Sequence, residues 1–168
     1  MNLETLLNPI NFIEAKQVGV IYHFTRTYNS LLRIIKDKGL RTFRDYISFT
    51  RNYDLRNMEG GLWGMARLSF DGDTMSNKYR FTPYSHFKGR ASNDFLSDEA
   101  EEKIEWEKDM TLPVFPYLIR IDILNYKESA YLIDMSFEDC KDMENLVTKE
   151  LEILNIPYSI VDKWRPVR

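Results

Sequence analysis

The stretch VGVIYHFTRTYNSLLRIIKDKGL, residues 18–40, decides how the fold of this chain begins. Residues 18–24 form an apolar run rich in β-branched and aromatic side chains, which predicts a buried strand. Thr27 or Asn29 can cap a helix that follows, and Gly39 stands where a left-handed residue often ends one. The helix has one broad apolar face, formed by Leu31, Leu32, Ile34 and Ile35. The stretch therefore predicts a strand followed by an amphipathic helix.

The remaining elements are predicted by working outward from this unit. Strands are expected at 45–51, 65–73, 78–84, 115–124, 129–135 and 157–161, and a second amphipathic helix at 142–154. The strand at 129–135 is expected to pair beside 115–124. Because this order lacks the regular strand–helix alternation of a doubly wound sheet, the predicted fold class is α+β. The 168 residues suffice for one core, and no repeat or linker divides them, which predicts a single domain over residues 1–168.

The composition is that of an ordinary globular protein, with 43% hydrophobic and 29% charged residues. The net charge of −3 disfavours a general nucleic-acid-binding protein, which would carry a basic surface. Cys140 is the only cysteine, which favours a reducing compartment, and two histidines with one cysteine cannot form a zinc cluster. The start MNLETLLNPINFIEAK lacks the pattern of a signal peptide, and no apolar run approaches the roughly 18 residues of a membrane span. We expect a cytoplasmic protein without a metal or a membrane partner.

An acidic cluster lies in the second half of the chain, within SNDFLSDEAEEKIEW at residues 92–106. Most charge runs are solvated faces, and this is the simplest interpretation of the cluster as a whole. Glu101 and Glu102, however, stand directly before a stretch with strand character. Strand alternation sends one of two adjacent side chains inward and the other outward, so one of these two carboxylates should point towards a cleft.

Three short motifs, in this order and spacing, resemble the ADP-ribosyltransferase superfamily, and most closely its DarT-like and phage-encoded branches. In those proteins a strand ends in an H-x-T motif, an asparagine opens a helix that ends in glycine-leucine, and a second strand carries a serine/threonine-rich motif with an arginine. A catalytic glutamate follows late, in an A-E-x-x-hydrophobic context. The matching residues here are His23, Thr25, Asn29, Gly39 and Leu40, then Ser48, Thr50 and Arg51, then Glu101 within AEEKI (100–104), with Glu102 as its neighbour.

The resemblance spans roughly residues 18–125 and implies an ADP-ribosyltransferase-like split β-sheet core with flanking helices. It also implies NAD as the cofactor. Cleavage of the nicotinamide–ribose bond passes through a cationic state that a carboxylate stabilises, which is the role implied for Glu101 or Glu102. An arginine fork suits the pyrophosphate, and a histidine can bond a ribose hydroxyl, which are the roles implied for Arg51 and His23.

The implied function is an NAD-dependent mono-ADP-ribosyltransferase of a phage or bacterial conflict system, located in the host cytoplasm if phage-encoded. Its acceptor would be a host protein or a nucleic-acid base, and the acidic total charge favours the protein. One alternative is a non-enzymatic phage-encoded inhibitor that uses the same scaffold to bind a host defence or transcription protein. A second is an RNA 2′-phosphotransferase-like enzyme. A Rossmann-type hydride enzyme is disfavoured because no glycine-rich dinucleotide fingerprint follows the first strand.

Overall fold

The computed structural model describes residues 18–54, 64–83 and 101–167, without the side chains of Pro83 and Glu101. In these ranges seven strands form one mostly antiparallel sheet in the order β5-β6-β3-β1-β4-β8-β9, in which only β8 and β9 run parallel. The strands are β1 (Val20–Thr25), β3 (Tyr46–Thr50), β4 (Ala66–Asp71), β5 (Phe81–Pro83), β6 (Glu101–Glu105), β8 (Leu118–Leu124) and β9 (Tyr158–Val161). Two short strands, β2 (Leu40–Arg41) and β7 (Thr111–Leu112), pair separately. The fold is therefore α+β, as the sequence predicted.

The sheet consists of two well-paired halves that meet at a narrow seam between β1 and β3. Six residue pairs join β1 to β4, and five join β3 to β6. In contrast, β1 and β3 share a single described pair, Tyr22 with Thr50. Beside this pair, the side chain of His23 on β1 bonds to the backbone of Ser48 on β3.

Four helices accompany the sheet in the described ranges: α1 (Tyr28–Asp37), α2 (Gly72–Ser76), α3 (Tyr126–Ile133) and α4 (Phe137–Ile153). The apolar faces of α1 and α4 join alternate residues of the central strands in one core, in which Leu31, Phe70 and Val147 are fully buried. Each such side chain stabilises the fold by about 1.5–3 kcal/mol when it is fully buried. None of these helices combines the length and apolar character needed to cross a membrane.

Helix α1 begins as predicted and ends differently. Thr27 is the N-cap, because its hydroxyl accepts a bond from the Ser30 N–H at 3.1 Å. The left-handed residue at the end is Lys38, with φ of 50°, and not Gly39. Gly39 is required for a different reason: a Cβ at this position would clash with the carbonyl oxygen of Leu112 on β7. The glycine lets two backbones approach closely, and the prediction of a left-handed glycine was wrong.

The strand predicted at 129–135 was also wrong, because this segment belongs to helix α3. Asn125 caps the helix with its side-chain oxygen, which accepts bonds from the N–H groups of Lys127 and Glu128. The buried residues Ser129 and Ala130 lie on one helical face. An apolar run alone does not distinguish a short buried helix from a strand, and the cap decides here. Helix α4 also begins earlier than the predicted residue 142, because Ser136 caps it.

Candidate active site

Two of the predicted site residues, His23 on β1 and Glu102 on β6, lie on one face of the sheet, on the two strands that flank β3. Phe49 of β3 is the register partner of Glu102 on β6, and partners across a ladder share a face. His23 of β1 packs edge-on against Phe49, with ring centroids 6.0 Å apart. The row His23, Phe49, Glu102 therefore crosses the seam between the two halves of the sheet.

The His23 side chain bridges the seam itself. Its Nδ1 lies 3.0 Å from the carbonyl oxygen of Ser48. Since a carbonyl only accepts, Nδ1 carries the proton in this bond, and Nε2 of the neutral ring is left with a lone pair. Burial lowers the pKa of His23 below its ordinary value of 6.5 and outweighs the opposing effect of the bond to Ser48. The site thus contains a neutral imidazole whose tautomer is fixed by the backbone of β3.

Arg51 and Glu102 form an ion pair at the end of the same row. Arg51 directly follows β3, and its Nη2 donates to Oε1 of Glu102. The Glu102 side chain is only 2% exposed, whereas that of Arg51 is 36% exposed. A buried carboxylate is therefore covered by a guanidinium that is open to solvent on its outer side. This guanidinium carries five N–H donors, of which the pair with Glu102 uses one.

The other predicted residues lie around this row. Ser48 is exposed and contributes its backbone carbonyl to His23, while its side chain alternates to the opposite face from Phe49. Thr25 is buried at the end of β1, and Asn29 is exposed in the first turn of α1. Thr50 is buried and accepts a bond from the Asn52 N–H at 3.0 Å, which shapes the turn after β3.

Of the acidic pair Glu101 and Glu102, the structure describes the side chain of Glu102 alone. Glu101 belongs to β6, and its backbone pairs with Thr50 of β3. The side chain of Glu101 lies outside the described part of the structure. Glu102 is buried on the same face as Ile104, which also lies in the core. The expectation that one carboxylate of the pair turns inward is therefore met by Glu102.

Sequence reasoning missed a second charged cluster, on the opposite face of the sheet. Arg67 of β4 is 1% exposed, and its Nη2 donates to Oδ2 of Asp122 on β8 at 2.5 Å. Its Nη1 donates to the carbonyl of Tyr53 at 2.8 Å, and its guanidinium lies 4.7 and 5.3 Å from the rings of Tyr22 and Trp164. The signal was present as charged residues inside the apolar strands MARLSF and LIRIDIL. Arg67 thereby anchors the segment that carries Arg51.

Comparison of this chain with known protein families, curated proteins and solved structures found no match. Within the described ranges, no three histidine, cysteine, aspartate or glutamate side chains converge in a way that could hold a metal ion. We therefore infer the function from the geometry of the site and from the motifs in the sequence.

Proposed function

We propose that this chain is an NAD-dependent mono-ADP-ribosyltransferase in which Glu102 is the catalytic carboxylate. The observation that carries the proposal is the half-open Arg51–Glu102 pair, which lies on the same face as the neutral His23 at the seam of the sheet. A carboxylate, an arginine and a histidine suit the ribosyl cation, the pyrophosphate and a ribose hydroxyl of NAD, respectively. Sequence reasoning put Glu101 first and Glu102 second, and burial beside Arg51 favours the second.

The role of Glu102 follows from the charge that develops in the reaction. The bond between C1′ of the ribose and the nicotinamide nitrogen breaks, and nicotinamide leaves as a neutral molecule with the electron pair. The ribose becomes cation-like at C1′, and a desolvated carboxylate stabilises this charge far better than a solvated one. The acceptor then attacks C1′ and loses a proton, for which Glu102 is a suitable base.

Arg51 and His23 would position the dinucleotide. The outer N–H groups of Arg51 can bind the pyrophosphate in the forked geometry that suits phosphate oxygens. The lone pair on Nε2 of His23 can accept a bond from a ribose hydroxyl, because Nδ1 is already engaged by Ser48.

The architecture of the sheet supports the same proposal. The single Tyr22–Thr50 pair between two well-joined halves is consistent with the split core that the resemblance implies. We further propose that the enzyme belongs to a phage or bacterial conflict system and acts on a host protein or a nucleic-acid base. The net charge of −3 favours the protein acceptor.

The test of the cofactor is a thermal-shift titration with NAD. A ligand that binds only the folded protein raises the melting temperature by mass action. We expect a saturable rise for wild type that is lost in Arg51→Ala. The matched control is Arg33→Ala, which removes an equally exposed charge from α1 and should leave the rise unchanged. No rise at millimolar NAD, or an equal rise in Arg51→Ala, would overturn the proposal.

A binding function without catalysis is the second candidate, and the surface of α3 and α4 favours it. Tyr131 is 78% exposed and packs edge-on against the exposed ring of Phe137, and Ile153 is also exposed. An inhibitor of a host protein could use such a surface. Binding of a host partner without NAD, unaffected by Glu102→Gln but lost in Tyr131→Ala, would favour this candidate.

The RNA 2′-phosphotransferase-like alternative stays a prediction. Release of nicotinamide in the absence of a phosphorylated RNA acceptor would contradict it.

A further inference from the structure

A basic pocket lies beside β4 and β8, next to the end of β9 and the segment that follows it. It is a cavity of about 290 Å³, and its polar lining comprises Arg67, Arg120, Asp162, Lys163 and Arg165. This volume is at the lower limit of small-molecule pockets. The pocket lies on the half of the sheet that does not carry Glu102, and Arg67 alternates to the opposite face from His23. It is therefore distinct from the candidate active site.

The charges in this pocket do not cancel. Arg67 and Arg120 share Asp122, at 2.5 Å from Nη2 to Oδ2 and 2.9 Å from Nε to Oδ1. Asp162 accepts a bond from the Asn125 side chain at 2.6 Å. Four cations thus meet two carboxylates, which leaves two positive charges in surplus on a chain whose net charge is −3. Such a local excess attracts an anion.

Several donors in the pocket have no hydrogen-bond or ion-pair partner among the residues that the structure describes. Arg120 forms its ion pair with Asp122 through Nε, and its two terminal nitrogens make no hydrogen bond or ion pair within the described part of the chain. The exposed side chains of Lys163 and Arg165 likewise make no described hydrogen bond or ion pair. Arg67 forms a rigid floor, because Asp122, Tyr53 and two rings hold it in place. The donors open to a ligand are therefore those of Arg120, Lys163 and Arg165, above a fixed positive charge.

We propose that this pocket binds a phosphate monoester. The dianion matches the surplus of two charges, and the arginine fork matches the phosphate oxygens. NAD carries only a pyrophosphate diester, so the expected ligand differs from the proposed cofactor. The monoester could belong to a phosphorylated small molecule or to the 5′ end of a nucleic acid, and both present the same group to the pocket. The proposal is independent of the proposed enzymatic function.

The test is a calorimetric titration with inorganic phosphate at constant ionic strength, with chloride as the reference. We expect saturable binding by wild type. The affinity should fall at least tenfold in Lys163→Ala/Arg165→Ala, because the loss of one charge-assisted hydrogen bond lowers the affinity by more than one order of magnitude. The matched control Lys141→Ala/Lys149→Ala removes the same charge from exposed positions of α4 and should bind as wild type does. Lys163→Ala/Arg165→Ala should still show the rise in melting temperature with NAD, which separates this result from the test of NAD.

Two further probes identify the source of the phosphate. A 5′-phosphorylated and a 5′-hydroxyl oligonucleotide of the same sequence are compared with a nucleoside monophosphate. If the phosphorylated oligonucleotide binds more tightly than both the 5′-hydroxyl oligonucleotide and the monophosphate, the site is assigned to a nucleic-acid end. If the monophosphate binds more tightly than both oligonucleotides, the site is assigned to a small molecule. Phosphate binding no tighter than chloride, or equal phosphate affinity in all three proteins, would overturn the proposal.

Discussion

The two arginine–carboxylate pairs of this protein have the same chemistry and opposite surroundings. Arg67 and Asp122 are 1% and 0% exposed, and two aromatic rings enclose the guanidinium. Arg51 and Glu102 are 36% and 2% exposed, and the guanidinium faces solvent. The first pair is sealed between strands in the middle of the sheet. The second lies at the strand ends, where a ligand can reach it.

This difference separates a structural role from a chemical one. In the sealed pair, every charge is desolvated and must be balanced within the protein, which makes the pair costly to disturb. In the half-open pair only the Arg51 guanidinium keeps contact with solvent, so water or a ligand can solvate this partner, while Glu102 stays buried. A site that must exchange an internal partner for a substrate needs the second arrangement. Glu102 is therefore the proposed catalytic carboxylate, whereas Arg67 anchors neighbouring strands.

The largest expected effect on stability is that of Asp122→Asn. This change leaves the buried guanidinium of Arg67 without a counter-charge, which typically costs about 3–5 kcal/mol of unfolding free energy. Urea unfolding measures it, with Asp142→Asn on the exposed surface of α4 as the control, expected within about 0.5 kcal/mol of wild type. Equal stability of the two variants would contradict the sealed-pair interpretation.

Replacing both charges of the sealed pair should cost less than replacing one. In Arg67→Met/Asp122→Leu no buried charge remains, and apolar replacements of buried pairs are often neutral. We expect the double variant to recover most of the stability lost in Asp122→Asn, as measured by the same urea unfolding. A double variant less stable than Asp122→Asn would show that Arg67 acts mainly through Tyr53 and the rings rather than through its charge.

A smaller effect is expected from the pH dependence of His23. Because the folded pKa lies below 6.5, the unfolded chain binds a proton in the window between the two values and the folded chain does not. Stability therefore falls as the pH decreases through about 6.5, by at most about 1.4 kcal/mol per pH unit. His23→Asn retains a donor near Nδ1 for Ser48 and removes the titration. Unfolding from about pH 7.5 to about pH 5.5 should show a steeper loss for wild type, and equal slopes would refute this.

The smallest expected change in stability is that of Glu102→Gln. The amide keeps the shape of the carboxylate, and Arg51 is open enough for water to solvate its charge. We expect a loss of about 1 kcal/mol or less, well below that of Asp122→Asn. Urea unfolding of the two variants side by side makes the comparison direct. Equal losses would mean that both pairs are structural.

The sequence predicted much of this fold because local signals and tertiary packing agree there. Strand β1 is a clear apolar run, and helix α1 has an apolar face and a cap at Thr27. Gly39 was expected as a left-handed residue, but it is needed for the close approach to the backbone of Leu112. Helix α3 was mistaken for a strand because its apolar run is short and ambiguous. His23, Arg51 and Glu102 could be proposed from motifs, but their meeting on one face depends on the register between distant strands. Arg67 stands inside an apolar strand, which was a signal of buried charge, but its pairing with Asp122 could not be foreseen, because the two lie 55 residues apart.

The measurement that tests the central claim most directly is the rate of nicotinamide release from NAD, with water as the default acceptor. Wild type, Glu102→Gln, Glu101→Gln and Arg33→Ala are compared at saturating NAD. The account predicts release by wild type, a loss of about 10²–10³-fold in Glu102→Gln, and near-wild-type rates in the other two. No release by wild type, or an undiminished rate in Glu102→Gln, would contradict it.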